Sequence, residues 1–165
     1  MNYRRLTDTL TGANHDLAPL VMRLAAGIVL FPHGAQKLLG WWGGYGFAGT
    51  MNFFTNTLHI PPVLGFIAIV AEFLVPLGLI AGLFTRLSAL GAAVLLTVAI
   101  FTVQLPNGFF MNWFGTQKGE GIEYSLLMIG LATAVFLRGA GAYSLDALII
   151  RHFAKGGGAG EPAPA

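Results

Sequence analysis

Four stretches of the chain are apolar for the length of a membrane-crossing helix, with polar or aromatic segments between them. They cover residues 17–40, 62–84, 86–105 and 121–138. Each is close to the roughly 20 residues that cross a hydrocarbon core of about 30 Å. None shows the period-2 alternation of a barrel strand, and all exceed strand length. The pattern therefore predicts an all-α fold, an integral membrane four-helix bundle over residues 17–152. Residues 1–16 read as a polar N-terminal cytoplasmic segment in which Asn14 or Asp16 caps the first helix, and residues 153–165 as a disordered Gly/Pro/Ala-rich tail.

The first run breaks its own pattern. On a wheel of 100° per residue, Arg23, Ala26, Gly27, Leu30, His33, Gly34 and Lys37 fall within about 120° of arc. A charge in hydrocarbon costs roughly 2.5–3.5 kcal/mol even on lenient scales, so this stripe must face partners inside the bundle. The other runs supply them: Glu72 near the middle of the second, Gln104 at the end of the third and Glu123 near the start of the fourth. Counting depth along the helices brings His33, Lys37, Gln104 and Glu123 together in the outer half of the bundle, with Glu72 beneath. Lys37 is then placed to balance Glu123, and Arg23 to form a structural ion pair with Glu72 or with Asp146.

The two longer loops are aromatic. Residues 41–61 hold two Trp, one Tyr and three Phe, and 106–120 hold three Phe and one Trp. Rings of this kind suit the headgroup layer, and part of 47–59 reads as a short interfacial helix. Trp41 and Trp42 stand beside the charged stripe as ligand-binding candidates. Arg4, Arg5, Arg86, Arg138, Arg151 and Lys155 lie on the segments opposite these loops. The positive-inside rule then places both termini in the cytoplasm and the aromatic loops outside a bacterial inner membrane.

Composition narrows the chemistry. Of 165 residues 55% are hydrophobic and only 10% charged, against about 25% charged in soluble domains. The chain thus requires a lipid bilayer as its partner. A net charge of +2 and the lack of a basic run interleaved with aromatics give no nucleic-acid partner. There is no cysteine, which excludes thiol redox, iron–sulfur and thiolate metal sites within this chain. No histidine pair or HExxH motif points to a metal. His33, Glu72 and Glu123 stand as catalytic candidates, with Lys37, Trp41, Trp42 and Gln104 as ligand contacts and Arg23 and Asp146 as structural ions. Against this stands a bland reading, in which Lys37 snorkels to the headgroups and the glycines serve helix packing.

Arg23-Leu24 with Gly27, then His33-Gly34-Ala35-Gln36-Lys37-Leu38 followed by Gly40, resembles the first-helix signature of the DoxX family. Glu72, Gly82-Leu83-Phe84-Thr85-Arg86, Glu123 after a glycine, and Gly139-Ala140-Gly141 with Ser144-Leu145-Asp146 follow its later signatures in order. Ala140 stands where the family often has proline. The resemblance implies a four-helix inner-membrane protein. It also implies company with redox complexes, since the family takes its name from a membrane subunit associated with a terminal oxidase and thiosulfate:quinone oxidoreductase activity.

The leading expectation is therefore a membrane subunit of a quinone-linked oxidoreductase, with a quinone or another small-molecule ligand in the outer half of the bundle and a redox protein as partner. Two alternatives stay open: a non-catalytic membrane anchor or assembly factor, and a small-solute or proton-coupled transporter.

Overall fold

A computed structural model describes residues 17–156. The expected cytoplasmic segment 1–16, with its capping residues Asn14 and Asp16, lies outside the described residues, as do residues 157–165 of the expected disordered tail. The described residues are helical and contain no strand: α1 (Ala18–Leu39), α2 (Gly46–Asn52), α3 (Pro62–Ala81), α4 (Thr85–Ala99), α5 (Glu123–Arg138) and α6 (Leu145–Gly156). After α4 the chain continues as a π-turn, Ile100–Gln104, and a 3-10 turn, Leu105–Asn107. Three of these helical stretches, Ala18–Leu39, Pro62–Ala81 and Thr85–Asn107, are long and apolar enough to cross a membrane. The 16-residue α5 completes an all-α membrane bundle of four helices.

The bundle is a ring in which α1 packs on α3, α3 on α4, α4 on α5 and α5 back on α1. The closest seam is α1 against α3, and two glycines seven residues apart create it. A β-carbon on Gly27 would sit 2.7 Å from Ile80 Cγ1 and 2.9 Å from the Pro76 carbonyl oxygen. A β-carbon on Gly34 would fall on the backbone carbonyl of Glu72. Between membrane helices lipid is as apolar as leucine, so close backbone approach supplies the packing energy. The core follows the same rule: Ala26, Leu79, Ala89, Ala92, Met128, Ala132 and Val135 form its buried cluster, and four of the seven are alanine. Leu64, Phe66, Leu74, Leu87 and Leu127 point outward, where a bilayer solvates them.

The end of the bundle that joins α3 to α4 is held by Asp146. Gly82 (φ +64°) ends α3 in the left-handed conformation, and the Leu83 N–H returns to the Gly78 carbonyl at 2.9 Å. The Asp146 carboxylate then accepts the Phe84 N–H at 2.8 Å and the Thr85 N–H at 2.9 Å, capping α4. Its own N–H donates to the Gly82 carbonyl at 2.9 Å. Asp146, which the sequence presents as a structural ion beside Arg23, acts on that residue through its charge and also caps a helix some 60 residues earlier in the chain. Asp146→Ala is expected to cost about 1–2 kcal/mol, the usual loss for a helix N-cap. A lowered Tm of the detergent-solubilised variant, partly restored in Asp146→Asn, checks this.

Candidate functional site

The charged stripe on α1 divides between two places. Arg23, 1% exposed, sits at the end of the bundle beside Asp146. Its Nε donates to the Ala140 carbonyl at 3.2 Å. Nη1 donates to Leu79 at 3.2 Å and Ile80 at 2.6 Å, and Nη2 to Ala142 at 3.2 Å and Tyr143 at 2.6 Å. A guanidinium has five N–H donors, and here each has a carbonyl. Leu79 and Ile80 belong to the last turn of α3, whose carbonyls lack intrahelical partners and carry the negative end of the helix dipole. This corrects the ion pair expected with Glu72; the alternative partner, Asp146, does act on Arg23 through its charge. The charge is accommodated by backbone oxygen atoms, because Arg23 lies level with the end of α3, about two turns from Glu72.

His33, Gly34 and Lys37 lie in the other half of α1 and line a cavity of about 350 Å³. Glu72, Val75 and Pro76 of α3 form the neighbouring wall, and Ala92, Leu95, Leu96 and Ala99 of α4 form an apolar one. Gln104 comes from the π-turn, Met111, Glu120 and Gly121 from the following loop, and Tyr124 and Ser125 from the first turn of α5. The structure thus brings together four of the predicted residues, His33, Lys37, Glu72 and Gln104. Lys37 forms an ion pair with Glu72 and stands 5.9 Å from the Phe54 ring centroid. That corrects its expected pairing with Glu123. The Gly34 seam brings α3 so close that the Lys37 side chain, one turn further along α1, meets the Glu72 carboxylate directly.

Glu123 does not line the cavity. Its carboxylate accepts the Met111 N–H at 3.1 Å, and its own N–H donates to the Phe109 carbonyl at 2.8 Å. These bonds close the loop over the cavity, as does the Asn107 Nδ2 bond to the Glu120 carbonyl at 3.2 Å. Trp41 and Trp42 are also outside the lining. They form an edge-to-face pair at 5.6 Å, are 50% and 63% exposed, and Trp41 rests against Phe31. The left-handed Gly40 that ends α1 turns them away from the bundle.

Sequence reasoning missed Tyr124, Ser125, Glu120 and Met111. Tyr124 and Ser125 follow Glu123 directly, one and two steps of about 100° around the helix, and those steps decide which side chain faces inward. Their polarity within an apolar run was the available signal. Among the described residues, five buried side-chain polar atoms have no hydrogen-bond partner: Thr85 Oγ1, Arg86 Nε, Gln104 Oε1, Tyr124 Oη and Ser125 Oγ. The last three line the same cavity. Buried polar groups are almost always satisfied by protein or ordered water, and these three unpartnered oxygens belong to residues of one cavity. The Tyr124 ring also faces the His33 ring, with centroids 6.2 Å apart.

Similarity to known proteins fits this arrangement. The DoxX family model matches residues 18–105, more than half of the chain, and includes Arg23, two of its five carbonyl partners and the α1, α3 and α4 walls of the cavity. The chain belongs to the DoxX family. Two relatives align along most of their length. A Haemophilus influenzae protein described as "Uncharacterized protein" is 28% identical over 85% of this chain and 88% of its own. A Bacillus subtilis protein named "Putative oxidoreductase CatD" is 26% identical over 82% of this chain and 90% of its own. No solved structure matches significantly.

Proposed function

We propose that this chain is a membrane subunit of a quinone-linked oxidoreductase and that the cavity beneath the 108–121 loop holds the quinone ring. The observation that carries the reading is a largely apolar cavity lined by His33, the Lys37–Glu72 pair and three residues, Gln104, Tyr124 and Ser125, that each hold a buried side-chain oxygen without a hydrogen-bond partner. A quinone ring needs flat apolar walls and hydrogen-bond donors for two carbonyl oxygens. Val75, Ala92, Leu96 and Ala99 supply the walls. The Tyr124 and Ser125 hydroxyls and the neighbouring His33 imidazole can donate to a quinone carbonyl, and Gln104 Oε1, an acceptor, can take a hydrogen bond from the quinol hydroxyl. The cavity volume lies at the lower end of the range for small-molecule sites, which suits a ring whose tail leaves between the helices. The name of the Bacillus subtilis relative supports the redox class.

When bound, the quinone would accept two electrons and two protons to become a quinol. With no cysteine in the chain, the electrons come from a redox protein partner or a bound donor. The chain's own residues hold the ring and manage protons. The exposed Glu120 carboxylate, at the loop, exchanges protons with water. The His33 imidazole and the Tyr124 hydroxyl hold them inside the cavity. The Lys37–Glu72 pair keeps opposite charges balanced at the wall, so that no net charge is left in the apolar interior. In this reading the protein sits in a bacterial inner membrane with both termini cytoplasmic and the cavity toward the outer face.

A second reading, a non-catalytic anchor for a redox complex, is favoured by the exposure of Trp113 (75%) and Phe114 (91%) at the tip of the same loop. Calorimetric titration of the purified protein with a short-chain ubiquinone analogue separates the two. Saturable binding is expected, weakened about 2- to 10-fold by Tyr124→Phe and again by Gln104→Leu, the range for one net hydrogen bond each. Absence of binding, or equal affinity in all three proteins, overturns the quinone reading and leaves the anchor.

A further inference from the structure

The last described helix has no part in the cavity. Ser144 opens α6 by accepting the Ala147 N–H on its Oγ at 3.2 Å. Twelve residues make a helix of about 18 Å, too short to cross a bilayer. Its first turn is fixed to the Gly82–Thr85 turn between two membrane-crossing helices through three hydrogen bonds of Asp146, one from its backbone N–H and two to its carboxylate. The helix therefore begins at the surface of the membrane that the bundle crosses.

Its faces differ sharply. Ala147 is buried against the bundle, while Leu145, Leu148, Ile149 and Phe153 are exposed, Phe153 by 74%. On a helical wheel these four cover about 140° of one side. Arg151 lies about 60° beyond the Leu148 edge of that arc and Ala154 opposite it, both exposed. His152 shares the apolar side, and an imidazole presents an apolar body with a polar tip. Phe84 and Tyr143, 68% and 82% exposed, flank the start of α6, and Leu87 and Leu137 continue the apolar surface onto α4 and α5. Arg86 and Arg138 lie at this same end, and the acidic Asp146 there is occupied as a cap.

We infer that α6 lies flat on an anionic membrane surface, with the Leu145–Leu148–Ile149–Phe153 side at the acyl boundary and Arg151 among acidic headgroups. The occupant is lipid because the exposed stripe continues the lipid-facing surface of α4 and α5, and the bilayer already reaches this end of the bundle. A basic end and an apolar stripe on one short helix are the two components of such binding.

The chain has no cysteine, so single nitroxide labels report individual positions. The experiment uses Leu148→Cys, Ile149→Cys, Phe153→Cys, Arg151→Cys and Ala154→Cys in vesicles of phosphatidylcholine with and without phosphatidylglycerol, read by electron paramagnetic resonance. Labels at 148, 149 and 153 are expected to be accessible to oxygen and shielded from an aqueous nickel chelate, and labels at 151 and 154 the reverse. The contrast should weaken several-fold without phosphatidylglycerol. Nickel access at all five positions shows a helix standing in water and overturns the inference. Exclusion of both reagents at 148, 149 and 153 shows a second copy covering the stripe and overturns it equally.

Discussion

Arg23→Met is expected to cost about 3–5 kcal/mol and to leave little folded protein in detergent. The substitution keeps much of the side-chain volume but leaves five carbonyls, of Leu79, Ile80, Ala140, Ala142 and Tyr143, without the donors that now satisfy them. Each unsatisfied buried acceptor costs about 1–3 kcal/mol, with partial relief by relaxation and water. Arg23→Lys is expected to lose nearly as much, since one ammonium with three donors cannot span five oxygens arranged around a planar fork. The yield of monodisperse protein and the Tm of what survives check both. A Lys variant as stable as the parent would show that charge alone, and not the fork, holds this end of the bundle.

Gly34→Ala should be the most damaging single added methyl group. The new carbon would meet the Glu72 backbone carbonyl, with the Phe73 Cα 2.8 Å away, and backbone atoms on two packed helices have no rotamer by which to yield. Overpacking typically costs 1–3 kcal/mol, and this case belongs at the upper end, about 3 kcal/mol, because α1 and α3 must separate. The separation also parts Lys37 from Glu72 and widens the cavity, so ligand affinity is expected to fall with stability. Gly130→Ala is the internal control. A β-carbon there meets nothing within 4 Å, so it should be neutral or slightly stabilising. Tm values of the two variants, measured side by side, decide whether the seam or merely glycine content is at stake.

Much of the bundle was legible because the physics that writes it is local. Runs of apolar residues set the helices, and Gly27, Gly34 and the stripe they share announced a face turned inward. The family signature was legible for the same reason, since it is carried by the residues at those close approaches. What could not be read was pairing across helices. Depth alone points Lys37 at Glu123 and Arg23 at Glu72, and depth does not state which side chains or backbone carbonyls meet. Arg23 meets the last turn of α3 because the Gly27–Ile80 contact fixes the register of α1 against α3. A one-residue step around α5 separated Glu123, which bonds the loop, from Tyr124, which faces the cavity. The helix at 145–156 went unread because it is short, and its stabilising contacts are with a turn some 60 residues earlier.

The central claim is that the cavity lined by Gln104, Tyr124 and Ser125 receives a quinone. The most direct measurement is the quinone content of the protein itself. The wild-type chain and the Gln104→Leu/Tyr124→Phe double variant are purified in mild detergent, extracted with organic solvent and compared by mass spectrometry, with quinone normalised to co-purified phospholipid. The account predicts quinone enriched over the host membrane in the wild type, approaching one per chain, and reduced to the membrane ratio in the folded double variant. Quinone at the membrane ratio in both proteins would contradict it.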